Sequence, residues 1–145
     1  MEIRQATAKD VEAIYAFICD LEETTFDFEI FTQLYLQNIA GENNIYLVAE
    51  ETTRSKVIGF ISTHGQILLH HLGMVYEIQE MFVDQEFRSH GIGQQLIEAL
   101  ELRLRDRECH CLEVTSNAKR TAAHEFYIRN GFIQSHVKLT KERQV

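Results

Sequence analysis

Three residues at fixed spacing, Arg88, Gly91 and Gly93 in the stretch Arg88-Ser89-His90-Gly91-Ile92-Gly93, suggest what chemistry this chain can do. Glycines at a strand-to-helix turn permit positive φ and let a ligand approach the bare backbone. The helix that follows opens with about four N–H groups lacking intrahelical partners, and its dipole places partial positive charge there. A diphosphate suits such a turn without any basic side chain; an ordinary turn with two permissive glycines is the plainer alternative. A P-loop would need Gly-Lys-Ser/Thr, whereas Gly93 is followed by Gln94 and Gln95. A dinucleotide fingerprint would need a small residue three places after Gly93, where Leu96 stands.

The elements around this turn are legible. Ile92, Leu96, Leu100 and Leu104 recur every four residues beside Ile97, as on the buried face of an amphipathic helix. Ile78, Phe82 and Val83 among polar residues read as a partly buried strand before it. Upstream, residues 2–6 alternate as a short strand, and Thr7 with Asp10 forms a capping-box signal. Val11, Ile14, Tyr15 and Ile18 form the stripe of a first helix. Phe28, Phe31, Leu34, Tyr35 and Ile39 form that of a second, which ends near Gly41. Ile45 to Ala49 and Val57 to Ile61 flank a polar turn, as in a hairpin. Residues 65–75 either extend that hairpin's second strand or form a loop over the site. Leu112, Val114 and Thr115 read as a strand, Lys119 to Asn130 as a helix closed by Gly131, and Phe132 to Lys141 as a final strand. The order β-α-α-β-β-β-α-β-α-β predicts an α/β fold with a mixed sheet.

Composition sets the bounds. A chain of 145 residues, 45% hydrophobic and 25% charged, is expected to form one soluble domain over residues 1–145. No apolar run is long enough to span a membrane, and the N-terminus MEIRQATAKD has no signal-peptide core. Cys19, Cys109 and Cys111 make an odd, sparse set that suits a reducing cytoplasm. Cys109-His110-Cys111 lacks a second ligand pair at zinc-site spacing, so buried strand residues are expected there. A formal net charge of −8 argues against nucleic acid as a partner and is compatible with a cationic or amine-bearing substrate.

Arg88-x-x-Gly91-x-Gly93 resembles the signature of the GCN5-related N-acetyltransferases, in which this turn grips the pyrophosphate of acetyl-CoA. A second motif supports the likeness: Asn117, then Ala123-His124-Glu125-Phe126-Tyr127, then Asn130-Gly131-Phe132. HHLGMVYEIQE, TSNAKRTAAHEFYIRNGFIQSH and LTK are similar to the aminoalkylphosphonate N-acetyltransferases across nearly the whole chain. The resemblance implies the acyltransferase fold, a mixed, mostly antiparallel sheet of about six strands with four helices. In it the strands on either side of the central helix splay to admit the pantetheine arm. It also implies acetyl-CoA as cosubstrate, a small-molecule amine as acceptor, divalent-metal assistance and, as is common in the family, a homodimer.

An alkylamine is mostly ammonium at neutral pH, so acetyl transfer needs a base. The resemblance assigns that role to Glu77, eleven residues before Arg88, with Glu80 as competitor. Strict alternation puts the two on opposite faces unless a bulge intervenes. By the same resemblance Tyr127 protonates the leaving thiolate, and Asn117 bonds the pantetheine arm. The turn Arg88, Ser89, His90, Gly91, Ile92 and Gly93 holds the phosphates, and the backbone of Met81, Phe82 and Val83 holds the acetyl and pantetheine amides. Locally, Tyr127 also reads as core, and Asn117 as a helix cap. A phosphonate acceptor needs a cation, for which Arg120, His64, His70 and His71 are candidates, the histidines serving equally for a metal. Another acceptor amine, and a CoA-binding module without catalysis, are the competing readings.

Overall fold

Short apolar runs separated by polar turns pair here in chain order. The computed structural model describes residues 1–144 and contains β1 (Glu2–Gln5), β2 (Asn44–Glu51), β3 (Lys56–Leu68), β4 (Gly73–Val83) and β5 (Cys111–Val114). They form one sheet in the order β1-β2-β3-β4-β5, antiparallel except for the parallel pair β4 and β5. The helices are α1 (Val11–Glu22), α2 (Phe28–Ile39), α3 (Ile92–Leu104) and α4 (Thr121–Arg129). A parallel pair needs a long connection, and α3 supplies it.

The two faces of the sheet are covered separately. α1 and α2 bring Ile14, Phe17 and Tyr35 against Tyr46, Val48 and Phe60. α3 brings Ile92, Leu96, Ile97, Leu100 and Leu104 against Leu47, Ile61, Tyr76 and Ile78 on the other face. All five α3 residues are buried, as their spacing predicts. Each such side chain contributes roughly 1.5–3 kcal/mol of burial. No helix among the described residues is long and apolar enough to cross a membrane.

Two expectations are revised. The sheet has five strands, because residues 132–144 form no strand among the described residues. Phe132 N–H bonds the Tyr127 carbonyl at 3.0 Å, and the chain then leaves the sheet unpaired. Alternation specifies a strand's faces but does not supply the neighbouring edge that its N–H and C=O groups require. Residues 65–75 do extend the hairpin: β3 runs to Leu68, a 3-10 turn occupies Leu69–His71, and β4 begins at Gly73. Cys111 opens β5, and Cys109 precedes it outside any strand; both are half-buried rather than buried.

The capping box forms as its sequence dictates. Thr7 caps the 3-10 turn Ala8–Asp10 that leads into α1, and its backbone N–H donates to Asp10 Oδ2 at 2.7 Å. Asp10, only 4% exposed, also receives two parallel 2.9 Å bonds from the Arg4 guanidinium, which bonds Glu50 as well. Burial alone would raise the Asp10 carboxyl. The Arg4 bonds and the Thr7 amide outweigh it and hold the group below the usual carboxylate range. Asp10→Ala is therefore expected to cost about 3 kcal/mol by uncoupling α1 from β1. A carboxyl depressed in the fold stabilises above its unfolded pKa of about 4, and that contribution fades as pH falls through the folded value. Urea unfolding of both proteins should show a gap at pH 7 that narrows with acidification; a gap independent of pH would contradict this account.

Candidate active site

β4 carries the site because it changes phase. Ser62 on β3 pairs with Glu80 and Thr63 pairs with Ile78, so Gln79 has no counterpart and forms a β-bulge. Before the bulge, Tyr76 and Ile78 face α3; after it, Met81 and Val83 do so, while Phe82 faces α1. Glu77 and Glu80 thus lie on one face, the α1 and α2 side, rather than on opposite faces as strict alternation would require.

Each carboxylate is held. Glu77 accepts from Thr115 Oγ1 and from Gln79 Nε2, both at 3.0 Å. Glu80 bonds the buried Ser62 hydroxyl, which in turn accepts the Glu80 backbone N–H at 3.0 Å. His64 sits opposite Glu77 across the strand pair, and its Nε2 lies 2.7 Å from the Tyr46 hydroxyl. Burial, with a further push from the Glu80 charge, raises the Tyr46 phenol to about 12 against the opposing Asn38 bond. Tyr46 therefore stays a neutral member of this polar row. Thr115, Ser62 and Tyr46 were not foreseen as partners, since nothing in their local sequence distinguishes them from ordinary strand residues.

Beside the bulge the sheet opens. β5 keeps register with β4 only from Val75 opposite Cys111 to Ile78 opposite Val114. Beyond that point the β5 side of residues 79–83 has no strand against it among the described residues. The backbone of Met81, Phe82 and Val83 lies along this gap. Arg88 Nε donates to the Val83 carbonyl at 2.9 Å, and the guanidinium carbon stands 5.0 Å from the centre of the Phe82 ring. Around it, Phe17, Asp20, Phe82, Asp84, Gln85, Glu86 and Arg88 line a cleft of about 500 Å³.

At the mouth of the gap the turn leaves its amides unused. The N–H groups of Ser89, His90, Gly91, Ile92, Gly93 and Gln94 donate to no backbone carbonyl among the described residues; the first bond of α3 is Gln95 N–H to the Gly91 carbonyl. Ser89 and Gly91 are left-handed, with φ of 64° and 77°, a conformation that turns neighbouring amides toward a common point. Strain of this kind on a non-glycine residue gathers at ligand sites. The two glycines act differently. A Cβ on Gly91 would meet nothing within 4 Å, whereas one on Gly93 would lie 3.0 Å from the Phe126 ring of α4. Gly91 keeps open space, and Gly93 lets two helices touch. Six free amides, a partial positive helix end and that open space match a diphosphate in charge and geometry.

α4 closes the other side of the gap. Tyr127 packs edge-on against Phe126 and Phe132, and burial pushes its phenol up to about 12, with Arg120 pulling the other way. Arg120 is engaged structurally: its guanidinium donates to the Leu21 carbonyl at 2.7 Å and lies 3.7 Å from Glu22 at the end of α1. Asn117 Oδ1 accepts the Lys119 N–H at 2.9 Å, so it organises the turn before α4 rather than capping the helix, whose N-cap is Arg120. His70 and His71 lie in the exposed turn at the hairpin tip, with ring centres 4.5 Å apart. No group of three or more His, Cys, Asp or Glu side chains is placed to hold a metal ion among the described residues. The expected metal assistance thus finds no such ligand set among the described residues.

Comparison with known proteins agrees with this geometry. The family pattern described as acetyltransferase (GNAT) domain matches residues 42–134, from β2 through α4. The aminoalkylphosphonate N-acetyltransferase of Salmonella typhimurium is 37% identical over 140 residues, covering 97% of this chain and 90% of that protein. Among solved structures, a transcriptional regulator from Bacillus halodurans C-125 superposes with a TM-score of 0.88 at 23% identity, covering 98% of this chain and 99% of that one. A putative acetyltransferase from Agrobacterium tumefaciens does so at 0.86 and 15%, covering 99% of this chain and 100% of that one. A β4 edge left unpaired beyond Ile78, a glycine turn with free amides and a family match across most of the chain converge: the protein belongs to the GNAT family and is an acetyl-CoA-dependent N-acetyltransferase.

Proposed function

We propose that the acceptor is the primary amine of a small aminoalkylphosphonate. The observation that carries this reading is the 37% identity over 97% of the chain to an enzyme of that name. Acetyl-CoA supplies the acyl group as a thioester, and this chain's residues bind, orient and move protons around it. The free amides of residues 89–94 receive the diphosphate, and the backbone along Met81, Phe82 and Val83 receives the amide-bearing arm as an added strand would. Asn117 keeps its Nδ2 for the same arm, since only its Oδ1 is used in the turn.

Glu77 and Glu80, on one face beside the gap, attract the ammonium group of the acceptor. Glu77 takes its proton, held in orientation by Thr115 and Gln79, so that the free amine can attack the acetyl carbon. Glu80 is oriented by Ser62 and supports the same charge. Tyr127 keeps its proton across the neutral range and gives it to the departing sulfur. For the phosphonate end, His64 on the carboxylate face offers a ring nitrogen, and Arg120 beside Tyr127 offers a guanidinium that would have to give up its bond to the Leu21 carbonyl.

Release of free CoA, followed with aminomethyl- and aminoethylphosphonate beside spermidine and a lysine peptide, tests the acceptor class. Turnover with the phosphonates alone is expected, and turnover only with another amine would discard the proposed acceptor. Running each arm with and without a divalent metal tests whether turnover depends on it. Tyr127→Phe should lower kcat at least about tenfold while acetyl-CoA affinity stays within about twofold. An unchanged kcat would return Tyr127 to a packing role.

A further inference from the structure

The polar row on the α1 and α2 side of the sheet has a direction. Asn38, in the last turn of α2, donates its Nδ2 to the Tyr46 hydroxyl at 3.1 Å, and that hydroxyl lies 2.7 Å from His64 Nε2. The Tyr46 and His64 rings are 23° from parallel with centres 5.7 Å apart, which fixes the plane of the imidazole. Tyr46 is buried and His64 half-buried. A phenol has one hydrogen to give and two lone pairs with which to receive.

The hydrogens of this row can be counted. Asn38 supplies one to the phenol oxygen, and the phenol keeps its own, since burial raises its ionisation to about 12. His64 Nε2 is the acceptor within reach of that hydrogen and receives it with a lone pair. The ring's own hydrogen then sits on Nδ1, because the bond at one nitrogen sets the tautomer at the other. An imidazolium would place a second donor against the phenol oxygen and leave the phenol hydrogen buried without an acceptor. His64 Nδ1 has no hydrogen-bond partner among the described residues. It is turned away from Tyr46 on β2, and the strand on the far side of β3 is β4, where Glu77 stands opposite.

We infer that Asn38 and Tyr46 are positioning residues that hold His64 as a neutral Nδ1–H donor, and that this donor binds a phosphonate oxygen of the acceptor while Glu77 takes the proton from its amine. The assignment rests on the aminoalkylphosphonate reading given above. Spacing agrees with it. Residues paired directly across neighbouring strands have Cβ atoms about 4.5–5.5 Å apart. An amine nitrogen and a phosphorus joined by one or two carbons lie about 3–4 Å apart, with bonds of about 1.5 Å and a longer one to phosphorus. A molecule of that size touches both members of the pair at once, its amine at Glu77 and its phosphonate at His64.

A neutral donor is the form this place requires. An imidazolium opposite Glu77 would pair with the carboxylate that has to accept the proton, and the phosphonate would compete for it. A neutral N–H serves the phosphonate and leaves the carboxylate to Thr115 and Gln79. A hydrogen bond in which one partner is ionised is among the stronger kinds, so a single well-aimed donor carries weight. Arg120, the other group considered for the phosphonate, already bonds the Leu21 carbonyl and stands beside Glu22.

Heteronuclear NMR of the full chain carrying isotope-labelled histidine reads the tautomer, at a pH about two units above the ordinary histidine pKa of about 6.5. The His64 ring, identified as the signal missing from His64→Asn, is expected with its hydrogen on Nδ1, whereas free histidine favours Nε2. Tyr46→Phe should lose that preference. Kinetics with aminoethylphosphonate give the second readout, because asparagine places an N–H near the Nδ1 position and glutamine near Nε2. His64→Gln should raise KM at least about tenfold with a smaller change in kcat, and His64→Asn should recover KM to within about threefold of the parent. Should Tyr46→Phe misfold, the wild-type spectrum and the two His64 variants decide the matter. A wild-type ring with its hydrogen on Nε2 overturns the inference, as does an unmoved KM in His64→Gln or an equal loss in both variants. A wild type that acetylates other amines and no aminophosphonate removes the acceptor reading, and this inference with it.

Discussion

Gly91→Glu is expected to fold and to lose acetyl-CoA binding. The substitution places a side chain where a Cβ meets nothing within 4 Å, so packing does not resist it. The left-handed backbone at φ 77° does resist, at about 1–2 kcal/mol for any L residue. Gly91→Ala bears that same strain without the charge and serves as its control. The glutamate adds a negative charge to the cradle of amides proposed to receive the diphosphate. Two unit charges about 4 Å apart at a partly solvated site repel by about 4 kcal/mol, which is several hundred-fold in affinity. Titration calorimetry should therefore show binding by Gly91→Ala within about tenfold of the parent, after strain, and none measurable by Gly91→Glu. Equal affinities in the two variants would move the diphosphate away from this turn.

Glu77→Gln is expected to leave cofactor affinity unchanged and to lower kcat about 100-fold or more at neutral pH. The carboxylate's proposed service is to take a proton from an ammonium whose pKa is about 10, so solution can replace it when the pH is high enough. The variant's rate should climb nearly tenfold per pH unit from neutrality upward, closing on the parent as pH nears 10. Tyr127 does not spoil this comparison, because burial holds its phenol near 12. Glu80→Gln is the informative partner, since the bulge puts both carboxylates on the same face. Loss of turnover in Glu80→Gln with normal turnover in Glu77→Gln would exchange their roles. Normal turnover in both would remove a carboxylate base from the mechanism.

What the sequence disclosed and what it concealed divide along a physical line. α3 is legible because its apolar residues recur with the helical period and all of them are buried by one sheet face. The glycine turn is legible because few residue types permit its backbone. The capping box at Thr7 and Asp10 is legible because its two hydrogen bonds lie within four residues of chain. The tail from Phe132 misleads for the opposite reason: its alternation is real, but pairing depends on an edge that no local pattern specifies. Partners brought together from afar were equally hidden. Thr115 reaches Glu77 from thirty-eight residues away, and Ser62 reaches Glu80 from eighteen. Arg120 looked free as a helix-start arginine, yet it spans ninety-nine residues to the Leu21 carbonyl.

The bulge bears on how this chain tolerates change. Along β4, odd positions up to 77 and even positions from 80 point toward α1, so the strand reverses its parity once, at Gln79. The side chain at that position is exposed, and its Nε2 donates to the Glu77 carboxylate and carbonyl, so substitution there spares the fold and costs Glu77 one of its two side-chain partners. Deleting the residue is a milder change than a deletion in a regular strand. Ile78 would still face α3 and Glu80 would still face α1, so every side chain of β4 keeps its layer, and what is lost is the bend that the bulge puts into the backbone lining the gap. At a regularly paired position the loss of one residue turns everything beyond it over. A deletion scan along β4 should therefore find position 79 tolerant when stability is read and intolerant when turnover is read.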